Sequence, residues 1–157
     1  MLDDIIHNSN GWFHTITAVL AMIFGTMVFI KTKGTSLHKL MGYMYVVCML
    51  LLNISSFFII NFKGFSIFHF FALISLITVL GGIIPAIRRT PNWFGYHFYF
   101  MSGSVVGLYC AFWAEVGTRF VKNDAQFWWA VALATFITAG IGNIFIRRQA
   151  KKLILKS

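Results

Sequence analysis

Lys31-Thr32-Lys33-Gly34-Thr35-Ser36-Leu37-His38-Lys39-Leu40-Met41-Gly42-Tyr43-Met44-Tyr45 is a short basic turn that gives way to a long apolar segment, with a histidine in its opening turn. Gly34 breaks the preceding helix, and Thr35 or Ser36 is placed to cap the next. Lys31, Lys33 and Lys39 mark a membrane edge, because cations collect in short loops on the cytoplasmic side. His38 therefore stands just inside hydrocarbon. An ionisable ring at that depth costs several kcal/mol unless it finds a partner, so it is a functional candidate by default.

Composition agrees with this placement. The 157 residues are 59% hydrophobic and 11% charged, and the apolar runs are longer than a soluble core helix needs. The expected fold is all-α: a polytopic membrane helical bundle, one domain over residues 1–157. Thirteen Lys and Arg against four acidic residues would suit nucleic acid, but the cations lie in short loops between apolar spans and report topology instead. The two cysteines, Cys48 and Cys110, fall inside expected spans and serve packing.

Five spans are expected, roughly residues 12–30, 38–60, 66–87, 93–115 and 127–146, followed by a basic tail over 147–157. The N-terminal stretch lacks the basic start and cleavage site of a secretory signal. Asn61 to Gly64 and Thr90-Pro91-Asn92 supply turns, and Gly81, Gly82 and Pro85 are placed to bend the end of the third span. Ten cations, including Lys31, Lys33, Lys39, Arg88 and Arg89, would lie on one side, against Lys63, Arg119 and Lys122 on the other. That bias predicts an external N-terminus and a cytoplasmic C-terminus, in a multi-pass protein of the bacterial inner membrane. Trp12, Trp113, Trp128 and Trp129 would form the outer aromatic belt and Trp93 the inner one.

Four histidines open the first four spans: His14, His38, His69 and His97. In an up-and-down ring, spans one and three are diagonal, as are two and four, so His14 faces His69 at the outer side and His38 faces His97 at the inner. Two facing imidazoles are what a six-coordinate haem iron requires. One helical stripe from His14 carries Ala18, Ala21 and Gly25, small enough to admit a flat macrocycle. Small residues are also the common device for close helix packing. Interfacial histidines bonded to water or lipid, a zinc site and a proton relay are the alternatives to haem ligation.

The remaining polar residues are less specific. Asn53, Ser55 and Ser56 are expected to bond across helices. Glu115 and Arg119, one turn apart, are expected to pair, or Glu115 to take a proton from a quinol. Lys31, Lys33, Lys39, Arg88 and Arg89 suit lipid headgroups, haem propionates or an anionic donor. Soluble-enzyme motifs are missing from the sequence.

Gly11-Trp12-Phe13-His14, the segment from Lys33 to Tyr43, Phe68-His69 and Tyr96-His97 resemble a bacterial family of predicted membrane proteins classed as a domain of unknown function, DUF2306. The resemblance covers about residues 11–119, leaving an extra fifth helix over about 127–146, and implies a fold and a membrane address. More distantly, the order of the histidines is similar to that of transmembrane ascorbate-dependent ferrireductase cytochromes, which hold two b haems between diagonal helices. That likeness implies two b haems per chain and a wire between a quinol or soluble donor inside and an acceptor outside. The histidines here occupy the first four of five spans, whereas those cytochromes use the middle four of six. The other function class is a haem-free helical module, a subunit or a handler of small solutes or protons. The oligomeric state is left open.

Overall fold

The computed structural model describes residues 9–59, 67–118 and 123–153, and within them every regular element is a helix. In chain order these are α1 (Ser9–Ile30), α2 (Ser36–Ser56), α3 (Ile67–Arg88), α4 (Trp93–Thr118) and α5 (Asp124–Leu153). The expected five-helix pattern is thus present. The Asn61 to Gly64 turn lies outside the described residues.

The helix ends follow from local chemistry. α1 ends at Ile30, and in the turn that follows Gly34 takes φ +82°, a left-handed conformation in which a side chain meets its own backbone. Thr35 is the N-cap of α2, and its hydroxyl accepts from the His38 backbone N–H at 3.2 Å. Between α3 and α4, Arg89 and Asn92 both have positive φ, and the Trp93 N–H donates to the Thr90 carbonyl at 3.0 Å. Asn123 caps α5, its side-chain oxygen accepting from the Gln126 N–H at 2.8 Å.

α1 packs on α2, α2 on α3, α3 on α4 and α4 back on α1, closing an up-and-down ring of four antiparallel helices. α1 and α3 are diagonal, as are α2 and α4. α5 packs mainly along α4 and also meets α3 through the Phe68 and Phe127 rings, 6.4 Å between centroids. The ring is filled by Ala21, Tyr45, Met49, Val79, Met101, Val105 and Leu108. At its centre the Tyr45 hydroxyl meets the Ser104 hydroxyl at 2.9 Å across the α2–α4 diagonal, and Thr26 bonds Tyr109 at 2.5 Å between α1 and α4. These pairings satisfy polar groups that would otherwise be orphaned among apolar neighbours.

Each helix exposes large apolar or aromatic residues, mainly Phe, Ile, Leu and Trp on α1, α3 and α5 and Tyr96, Tyr99 and Trp113 on α4, the kind of surface a bilayer accommodates. α1, α2, α3 and α5 are each long and apolar enough to cross a membrane. α4 is long enough at 26 residues but is not among those four, which departs from the five expected spans. The physical reason is its position. Touching α1, α3 and α5, it turns Ser104, His97 and Met101 toward protein, so its faces need not match lipid.

The small strip on α1 also has a different use from the one expected. A Cβ at Gly25 would lie 3.1 Å from the Tyr45 ring and 3.3 Å from Val105, so the space beside Gly25 is taken by the chain's own tyrosine rather than left for a macrocycle. Cys48 and Cys110 are both free thiols, as packing roles require, and the Cys110 thiol donates to the Thr135 carbonyl at 3.7 Å.

A candidate histidine-pair site

At one end of the bundle, α2 and α4 bring His38 and His97 together across the diagonal. Their ring centroids are 6.4 Å apart and their planes are 84° to each other. Each ring is placed by the turn before its helix: Gly34 and Thr35 set where α2 begins, and Asn92 and Thr90 set the start of α4. The ring topology then does the rest, because residues near the starts of α2 and α4 share one end of the bundle.

His97 is oriented by α3. Its Nδ1 lies 3.0 Å from the Gly82 carbonyl, so that nitrogen carries the proton and donates, leaving the Nε2 lone pair for a ligand. Gly82 makes this reach possible. A Cβ there would meet the Met101 side chain at 2.7 Å and its backbone nitrogen at 3.1 Å, so only glycine lets α3 approach α4 this closely. His38 is the other half, and its Nδ1 is buried without a hydrogen-bond partner. Orphaned buried polar atoms are uncommon and call for an explanation.

Cations surround the pair. The Lys33 ammonium donates to the Val28 carbonyl at 2.5 Å and the Phe29 carbonyl at 3.1 Å, closing the C-terminal end of α1. Burial pushes its pKa below the ordinary lysine value. Its charge acts on both His38 and His97. The Arg89 guanidinium stacks 4.3 Å from the Trp93 ring centroid, and that ring lies 6.4 Å from His97. Lys31, Lys39 and Arg88 are exposed at the same end.

The geometry suits ligation by two imidazoles. With their centroids 6.4 Å apart, the two rings would be close enough to hold one ion between them. Edge-to-face packing covers the same range, but it leaves the His38 nitrogen unexplained. Among the described residues no three His, Cys, Asp or Glu gather around one point. Structural zinc takes four protein ligands and catalytic zinc three; a haem iron takes two axial ones. Gly42, one turn beyond His38, has open space where a Cβ would stand. The donor set therefore fits a haem better than zinc.

The opposite end holds the other two histidines. His14 Nδ1 lies 2.9 Å from the Ser55 hydroxyl, whose own proton goes to the Leu52 carbonyl. His14 is thus the donor at Nδ1 and again keeps Nε2 free. His69 is buried against the Phe57 ring, 5.7 Å between centroids. Both histidines are accordingly tied to the last turns of α2, at one depth. The Glu115 charge acts on His14. Arg119, expected to pair with Glu115, lies outside the described residues. Ser55 bonds across helices as expected, whereas Ser56 turns back to the Asn53 carbonyl, and the buried Asn53 Nδ2 has no partner.

Sequence reasoning named Gly82 only as a bend and Trp93 only as a belt residue. The Gly82 contact has no sequence signature, because it is made by a backbone carbonyl, whereas Trp93 stands four residues before His97 on α4 and could have been found from helical spacing.

Residues 11–147 match the model of a family described as "Predicted membrane protein (DUF2306)". The match runs into α5 as far as residue 147, beyond the end of α4 where the resemblance in the sequence stops. No curated protein matches, and no solved structure does.

Proposed function

The chain belongs to this family of integral membrane proteins, and on that premise we propose that it is a b-haem electron carrier of the bacterial inner membrane. His38 and His97 would hold one haem, and His14 and His69 a second. The observation that carries the proposal is the His38–His97 pair, 6.4 Å between perpendicular rings, with one nitrogen committed to Gly82 and one left unpartnered. A bis-imidazole b haem supplies a one-electron couple when bound. The chain's own part is to hold the two rings, fix the His97 and His14 tautomers, and surround the His38 end with cations that attract an anionic donor or a haem propionate. Electrons would enter there from a quinol or a soluble donor and leave at the His14 end.

A visible spectrum of the full-length protein, purified in detergent after expression with ample haem supply, tests the proposal. A Soret band that shifts on reduction is expected. Colourless, fully folded protein would overturn it in favour of a haem-free module whose histidines relay protons or meet the interface. Single alanine substitutions at His38 and His97 should each remove the same half of the bound haem, and the double variant should match either single one. His14→Ala with His38→Ala should abolish both halves. Along α2 the rise from His38 to Ser55 is about 25 Å, so either site should survive loss of the other.

A further inference from the structure

The end of α5 carries a surface that the haem proposal does not use. Arg147, Arg148, Lys151 and Lys152 are all exposed, and the helical repeat of 3.6 residues gathers them on one arc. Ala150, on the opposite side, is 5% exposed. The helix is seated on the bundle by a small residue and turns its basic face outward. Among the described residues no carboxylate lies at this end: Glu115 is in the last turn of α4 and Asp124 opens α5, both at the other end. Among the described residues nothing at this end neutralises the four cations.

Depth decides what faces them. Trp128 and Trp129 are exposed near the start of α5, where indole rings settle at a membrane interface. From Trp129 to Arg148 the helix rises about 28 Å, close to the roughly 30 Å of bilayer hydrocarbon. Arg147 and Arg148 therefore fall in the opposite headgroup layer, with Lys151 and Lys152 one turn further out. The Arg147 Nε donates to the Asn143 side-chain oxygen at 3.2 Å, one turn back into the span. That bond holds the guanidinium alongside the helix, at headgroup level, instead of projecting it toward a soluble partner.

We propose that the last two turns of α5 are a docking surface for anionic phospholipid. Arg147 and Arg148 grip a headgroup phosphate, for which a guanidinium fork is suited, and the two lysines add charge from the aqueous side.

The test uses full-length protein in neutral detergent, following thermal unfolding and lipid retained in mass spectra as phosphatidylglycerol or phosphatidylcholine is added. Phosphatidylglycerol should raise the unfolding temperature and be retained in preference, and the preference should shrink in high salt. Arg147→Gln with Arg148→Gln should weaken phosphatidylglycerol binding roughly 25-fold, about fivefold per cation, while Arg147→Lys with Arg148→Lys keeps most of it. If the glutamine pair fails to fold, Lys151→Gln with Lys152→Gln and the salt titration of the unaltered protein decide. Equal response to both lipids, a preference indifferent to salt, or undiminished binding by a folded glutamine variant would overturn the proposal. So would inorganic phosphate reproducing the whole effect, since that describes a free-anion site.

Discussion

Single residues in this bundle do work that depends on what lies across from them. Gly25 is small because the Tyr45 ring fills the space beside it. Gly25→Val should therefore overpack the centre and cost about 1–3 kcal/mol, read as a lower unfolding temperature with helix content retained in the folded protein. Lys33 is charged although half-buried, and its pKa falls below the ordinary 10.5 because burial disfavours the ammonium. In the window between the lowered value and 10.5 the unfolded chain binds more protons than the folded one, so this lysine makes stability rise with pH there. Thermal unfolding of the protein relative to Lys33→Met should show the difference growing in its favour through that alkaline window. A flat difference would mean the ammonium is solvated.

Elements are delimited by turns whose geometry can be challenged directly. Gly34 has φ +82° and open space around its Cβ position, so a substitution there meets backbone strain and no clash. Gly34→Leu should cost about 1–2 kcal/mol and displace His38, weakening the haem signal of the His38 end most, while Gly34→Asn, which tolerates this conformation, should restore much of both. The α4–α5 seam depends on another glycine. A Cβ at Gly142 would lie 2.5 Å from Val106, and among the described residues the long seam of α5 is with α4. Gly142→Leu should loosen α5 while the four-helix ring persists. The Cys110 thiol bonds Thr135 across that seam, so its rate of labelling should rise, with buried Cys48 as the internal reference. Equal rates before and after would place the strength of the seam elsewhere.

The whole molecule is polarised. The His38 end carries the exposed cations of both described loops and of α5, while Glu115 and Asp124 lie at the other. By the charge rule a reporter fused after Ser157 should be active on the cytoplasmic side; activity only in the periplasm would reverse the two ends of the bundle.

Much of this architecture is legible in the chain itself, because lipid imposes one strong constraint: every backbone polar group must be satisfied within the span. Long apolar runs punctuated by Gly34, Thr90-Pro91-Asn92 and cations could therefore become only helices of about those lengths, and short connections made neighbours antiparallel. Four histidines near helix starts followed as a pattern of alternating ends. What lay beyond the sequence was lateral: which side of each helix faces which neighbour. Only the packed ring put His38 edge-on to His97, brought the Gly82 carbonyl to His97 through a contact that no side chain encodes, and filled the space beside Gly25 with Tyr45. It also placed α4 in contact with three other helices and turned Ser104 and Met101 into the core. Depth in a membrane is set residue by residue through solvation, whereas azimuth is set by side-chain packing between segments distant in sequence.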